Sequence, residues 1–150
     1  MKTKFMTLAA GALLGGISLP SLAYNVTVGA ACEASEESKP YIYKDAGRLQ
    51  NYSGTTQTIY CPVYNMGAFS SKTITATLVV VDQHSSQDVS CDLVVTYSSG
   101  TGGTYVTQKT SGSSWSPQYL AYNISSFYNG GAYLRCTMPN QTQILNYRSN

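Results

Sequence analysis

Thr73-Ile74-Thr75-Ala76-Thr77-Leu78-Val79-Val80-Val81-Asp82 is followed, after a short polar stretch, by Val89-Ser90-Cys91-Asp92-Leu93-Val94-Val95-Thr96-Tyr97. These two segments decide the fold. In the first, Ile74, Ala76, Leu78 and Val80 share one face and Thr73, Thr75 and Thr77 the other. In the second, Val89, Cys91, Leu93, Val95 and Tyr97 lie opposite Ser90, Asp92 and Thr96. Successive side chains of an extended strand point to opposite sides, so a period of two marks half-buried strands. The period recurs outward in both directions. Val26, Val28 and Ala30 read as one face that Cys32 continues, and Ile59, Cys61 and Val63 as another. Leu134, Cys136 and Met138 form a later strand and Ile144 to Arg148 a last one, with weaker strands at Thr104–Lys109 and Gln118–Ile124. Gly, Ser, Asn and Pro clusters separate the segments, giving about eight strands. Past the first 23 residues no stretch shows a helical period; Glu33 to Ser38 suits at most one turn, which Pro40 would stop. The expected fold is all-β: an antiparallel β-sandwich with jelly-roll or Greek-key connections, which buries one-sided strands in this number.

The chain opens with Lys2 and Lys4, then a largely apolar run from Phe5 to Leu19, a break at Pro20, and Ser21-Leu22-Ala23 before Tyr24. That is the layout of a secretory signal peptide over residues 1–23. The apolar run is shorter than the ~20 residues a membrane span needs, and no later stretch is long enough. Lipid attachment at Cys32 is the competing reading, but Gly29-Ala30-Ala31 lacks the large aliphatic residue such a site carries three positions earlier. Removing 23 of the 150 residues leaves 127, residues 24–150, which suits one domain able to bury about two-thirds of its unfolded surface. The expected destination is the periplasm or the exterior of the cell.

Four cysteines, Cys32, Cys61, Cys91 and Cys136, in an exported chain read as two disulfides. Spacing alone leaves three connectivities open. The strand positions favour sequential pairing, Cys32–Cys61 and Cys91–Cys136. No pair has the close spacing of a zinc knuckle or a redox Cys-x-x-Cys.

Charge excludes one class of partner. The excess of Lys and Arg over Asp and Glu lies in the signal, so residues 24–150 are close to neutral and lack the cationic surplus that releases counterions from nucleic acid. Candidate chemistry is thin. His84, the only histidine, lies in Asp82-Gln83-His84-Ser85-Ser86-Gln87-Asp88. Asp82, His84 and Asp88 have metal-ligand character, and His84 could serve a serine nucleophile. The same residues make an ordinary polar turn, the reading preferred here, and the Gly-x-Ser-x-Gly nucleophile turn is missing. Paired carboxylates for glycoside hydrolysis are not evident: Glu33, Glu36 and Glu37 cluster, and Asp92, mid-strand on a polar face, has no visible partner. Gly100-Thr101-Gly102-Gly103 lacks the Lys-Ser/Thr of a phosphate loop and reads as a hairpin turn. No residue is assigned a catalytic role, and no metal or cofactor is expected.

The informative excess is tyrosine: all 13 lie beyond residue 23. Sugar rings stack on aromatic faces while Asn, Gln, Ser and Thr bond their hydroxyls. The segment from Ser98 to Tyr122 combines that composition with the only Trp, which makes Trp115, Tyr105 and Tyr119 the candidate ligand-binding residues. Trp115 is placed on a loop; its alternative role is to fold over an open end of the sandwich. Asn-x-Ser/Thr sequons begin at Asn25, Asn51, Asn123 and Asn140.

Cys61-Pro62, Val79-Val80-Val81-Asp82, Cys91-Asp92-Leu93 and Tyr133-Leu134-Arg135-Cys136 resemble segments of small exported bacterial β-sandwich proteins that have no assigned activity. The resemblance runs from about Cys32 to Arg148. It implies a secreted, disulfide-bonded sandwich and carries over no catalytic residue. The expected function is contact with a glycan or a protein surface through polar and aromatic loops. The rivals are a small secreted hydrolase or enzyme inhibitor, and a structural protein that assembles through strand edges.

Overall fold

The computed structural model describes residues 25–63, 72–97, 102–126 and 131–149. The expected signal peptide, residues 1–23, and Gly100-Thr101 of the Gly-rich turn lie outside the described residues. Among those described, the chain forms eleven strands: β1 Asn25–Val28, β2 Glu33–Ala34, β3 Ile42–Asp45, β4 Arg48–Asn51, β5 Gln57–Val63, β6 Lys72–Asp82, β7 Ser90–Thr96, β8 Gly103–Lys109, β9 Ser114–Ser126, β10 Ala132–Met138 and β11 Thr142–Ser149. All pair antiparallel. The first sheet runs β3-β4-β11-β6-β9, with β1 also beside β11; the second runs β2-β5-β10-β7-β8. The links β4–β5, β5–β6, β6–β7, β8–β9, β9–β10 and β10–β11 each change sheet, which gives the jelly-roll kind of sandwich.

The alternating segments do what their period requires. Ile74, Ala76, Leu78 and Val80 of β6 face inward, and Cys91, Leu93 and Val95 of β7 meet them from the second sheet, all buried. Leu49, Leu120, Ile144 and Tyr147 complete the first inner face; Ile59, Leu134 and Met138 complete the second. Each fully buried aliphatic side chain contributes about 1.5–3 kcal/mol. Tyr122 of β9 reaches across the layers, its phenol donating to the Cys91 carbonyl at 3.2 Å. Burial raises the pKa of that phenol well above the ordinary tyrosine value, and the Asp92 charge adds to the effect.

Both bridges form as expected, Cys32–Cys61 and Cys91–Cys136, with Cα atoms 4.1 and 4.0 Å apart. Cys91 stands directly opposite Cys136 in the β7–β10 register. Cys32 precedes Glu33, the partner of Tyr60, and so faces Cys61. Both bridges therefore join neighbouring strands on the inner face of the second sheet.

Three expectations are corrected. The strands number eleven rather than about eight, because β2, β3 and β4 are two to four residues long and too polar to show a period. Val26 and Val28 do not share a buried face with Cys32: they are 69% and 54% exposed, because a 3-10 turn at Gly29–Ala31 carries the chain from the first sheet to the second. Gly29 passes so close to β11 that a Cβ there would lie 2.1 Å from the Ile144 carbonyl oxygen. Pro40 does not stop a turn; it sits inside the 3-10 turn Lys39–Tyr41, where its fixed φ is an advantage.

Candidate functional site

The start of β9, Ser114-Trp115-Ser116-Pro117-Gln118, departs from regular pairing. Gln118 pairs with Val80 and Ser114 with Asp82, so β9 places three residues opposite the single Val81. Pro117 has no N–H to offer the ladder, and the Ser114 hydroxyl accepts the Ser116 N–H at 3.0 Å, closing a local turn. The extra residues bow out and carry Trp115 with them, leaving it 82% exposed. Trp115 thus stands on an irregular strand start, not on a loop, and it does not fold over an end of the sandwich.

Beside it lies a cleft of about 500 Å³ on the outer face of the first sheet. Val81, Leu145 and Pro117 supply apolar lining, and Arg48, Gln83, Gln143 and Asn146 supply polar groups. Each arrives by an identifiable local feature. Ile144 pairs with Val80 and Asn146 with Val79, so Leu145 is the unpaired residue of a bulge in β11. Arg48 follows the two-residue turn Ala46-Gly47, in which both residues have positive φ, 47° and 80°; this is the turn sense that suits a twisted hairpin. The Gln143 amide donates to the Tyr52 hydroxyl at 2.7 Å. Tyr43 pairs with Gln50, and Gln50 with Gln143, so Tyr43 belongs to the same outer face; both tyrosines are exposed.

The three aromatic residues singled out from the sequence do not form one site. Tyr119 pairs with Val79 and is exposed on the same outer face as the cleft. Tyr105 pairs with Val94 on β7 and is exposed on the outer face of the other sheet. The β8–β9 link crosses between sheets, which puts Tyr105 on the far side of the molecule from Trp115. Around Tyr105 the far face has its own character. Tyr60 and Tyr133 lie tilted with ring centroids 6.0 Å apart, beside a shallow apolar recess of about 350 Å³.

The acidic candidates are engaged in structure. Asp92 has partners after all: Arg135 donates to it at 2.7 and 3.2 Å and the Thr107 hydroxyl at 2.7 Å, and this bond raises the Arg135 pKa. Asp82 is fully buried, and its carboxylate accepts the N–H groups of His84 and Val89, each at 3.0 Å, and the hydroxyl of Thr110. His84 Nδ1 accepts the Gln87 N–H at 3.0 Å, and Asp88 accepts the Gly112 N–H at 3.0 Å. The segment is a self-bonded connection between sheets. Among the described residues no three His, Cys, Asp or Glu side chains converge as metal ligands would.

No family model and no curated protein sequence matches the chain. Solved structures do resemble it. The C-terminal CBM6 of LamC, a marine laminarinase from Zobellia galactanivorans, superposes with a TM-score of 0.57 at 10% identity, covering 85% of this chain and 99% of that one. The CBM35 of Cellvibrio japonicus Abf62 gives 0.52 at 12% identity, covering 85% and 93%. The Clostridium thermocellum xylanase 10B, with its CBM22-1 and GH10 modules, gives 0.53 at 10% identity, covering 83% of this chain and 26% of that longer one. At these identities the likeness is one of fold.

Proposed function

We propose that the protein is a non-catalytic module that works outside the cytoplasm and binds a glycan in the cleft beside Trp115. The observation that carries this reading is the indole itself, lifted by a proline-marked bulge and left 82% exposed at the edge of a cleft lined by side-chain amides. An aromatic plane takes the C–H face of a sugar ring, and amide donors and acceptors take its hydroxyls. Among the described residues the lining holds side-chain amides and Arg48 and no carboxylate, whereas glycoside hydrolysis uses two flanking the scissile bond. The fold is shared with modules described as carbohydrate-binding, and two disulfides suit an oxidising compartment.

Affinity electrophoresis through gels containing soluble polysaccharides, with a glycan array beside it, tests the reading. The wild-type chain is expected to be retarded by at least one glycan. Trp115→Ala is expected to lose about tenfold in affinity with an unchanged urea midpoint, since an exposed side chain supports little of the fold. Tyr105→Ala, on the far sheet, is expected to behave as wild type. Retention that is absent throughout, or equal in Trp115→Ala and wild type, would refute the proposal.

A further inference from the structure

The charges around the cleft narrow the ligand further, on the premise of the glycan reading above. Among the described residues Arg48 is the one charged side chain in the lining. Three other surface cations are paired, Lys39 with Glu36 at 2.6 Å, Lys44 with Glu33 at 3.2 Å and Arg135 with Asp92 at 2.7 Å, and the exposed Lys109 lies on the outer face of the second sheet, away from the cleft. Among the described residues Arg48 makes no such pair. Asp45 stands across from it in the β3–β4 register, yet forms no ion pair with it and does not line the cleft. The turn Ala46-Gly47 fixes the backbone at Arg48, so the guanidinium is anchored at one end on a short, regular hairpin.

We infer that the saccharide taken by the cleft is anionic, with its acid group held by Arg48 while a ring of the same chain stacks on Trp115. A guanidinium offers two parallel N–H donors that match a carboxylate or a sulfate oxygen pair. Arg48 and Trp115 stand on β4 and β9, with β11 and β6 between them, a separation of roughly 14 Å at the usual strand spacing. Gln143 and Asn146 of β11 fill that interval, together with Val81 of β6. The arrangement therefore suits an oligosaccharide lying across the strands, apolar at one end of its track and acid-bearing at the other. A carboxylated sugar and a sulfated sugar present the same anion chemistry to Arg48.

The test uses affinity electrophoresis at low salt with three polymers: polygalacturonate for carboxylate, a sulfated galactan for sulfate, and neutral xylan. The expected result is retardation by one or both polyanions at least tenfold stronger than by xylan, weakening as salt is added. Arg48→Gln is expected to lower polyanion affinity about tenfold with its urea midpoint unchanged, and Trp115→Ala to lower it as well. Lys109→Gln, on the outer face of the second sheet, is expected to leave it unaltered. Retardation by polygalacturonate alone or by the sulfated galactan alone supports the inference and names the acid group. If xylan binds as well as the polyanions and only Trp115→Ala weakens it, the glycan reading stands and the anion inference falls. An equal loss in Arg48→Gln and Lys109→Gln also overturns it, because diffuse charge would then be the cause. If none of the three polymers retards the chain, the anion inference falls, and the glycan reading falls with it only when the array is blank as well.

Discussion

Replacing Asp82 should be among the most damaging single changes to the fold, and its size can be worked from the contacts. Asp82 ends β6 in the first sheet, is fully buried, and gathers donors from both sides of the sandwich. Val89, just before β7, and Thr110, just after β8, belong to the second sheet's connections, so the carboxylate ties the two layers at one end. In Asp82→Ala the His84 N–H regains water, and the Val89 N–H keeps the Thr110 hydroxyl at 2.8 Å. What goes unreplaced is two buried charge-assisted bonds, each about 1.5–3 kcal/mol, offset in part by no longer burying a carboxylate. The expected net cost is about 3 kcal/mol. For a domain of this size that corresponds to roughly a 10 °C fall in Tm. Asp82→Asn keeps one acceptor oxygen but turns an NH2 toward a donor, so about 1–2 kcal/mol is expected. Urea unfolding should show a lower midpoint with an unchanged slope. An Asp82→Ala chain within 1 kcal/mol of wild type would refute the reasoning.

Gly29→Ala should destabilise by about 1–3 kcal/mol, because its Cβ would sit 2.1 Å from the Ile144 carbonyl oxygen and backbone must move; thermal unfolding measures it. Asn51→Ala should cost about 2–3 kcal/mol in the same assay, since its buried amide donates to the carbonyls of Thr55, Met138 and Pro139 at 2.9, 2.8 and 3.0 Å. For the same reason Asn51 should carry no glycan in folded material from a eukaryotic secretory host, whereas the exposed Asn123 is sterically free to do so; peptide mass mapping checks both. Tyr122 should make the fold sensitive to alkali. Its folded pKa is raised above the unfolded value near 10, so its contribution is intact below pH 10 and is lost as pH climbs beyond. Tyr122→Phe should lose about 1 kcal/mol at neutral pH and flatten the alkaline decline in urea midpoint.

The parts of the fold legible in the sequence are those where one face is buried and the other wet. Residues 73–82 and 89–96 alternate because the core demands it, and Cys91 and Cys136 could be paired from their positions on apolar faces. The β3–β4 hairpin carries little sequence signal for two physical reasons: its strands are four residues each, and its turn is Ala46-Gly47 rather than the Asn-Gly that usually supplies positive φ. The cleft was less legible still. Arg48, Gln143 and Asn146 are outward polar residues, and before the sheet order is known nothing distinguishes them from ordinary solvated positions. Trp115 stood out as the only Trp, yet its Ser and Pro neighbours read as loop because a bulged strand and a loop use the same residues. Tyr105 lies near Trp115 in the chain, but one crossing between layers puts them on opposite faces.

The bulge at Trp115 also bears on whether the molecule is built for ligands or for strand-edge assembly. β9 is 13 residues long, carries no charged side chain and forms an outer edge of its sheet, the combination that invites another strand to pair. Pro117 removes a donor from that edge, and the residues bowed out opposite Val81 break the spacing a partner strand would need to run past Gln118. The shorter edge strand β8 ends in Lys109, whose charge resists burial beside a second copy. The distortion that blunts β9 as a pairing edge is the same one that raises the indole beside an open cleft. One local irregularity therefore works against edge-to-edge assembly and in favour of a ligand, and the position of Arg48 across the sheet indicates which kind of ligand the cleft would select.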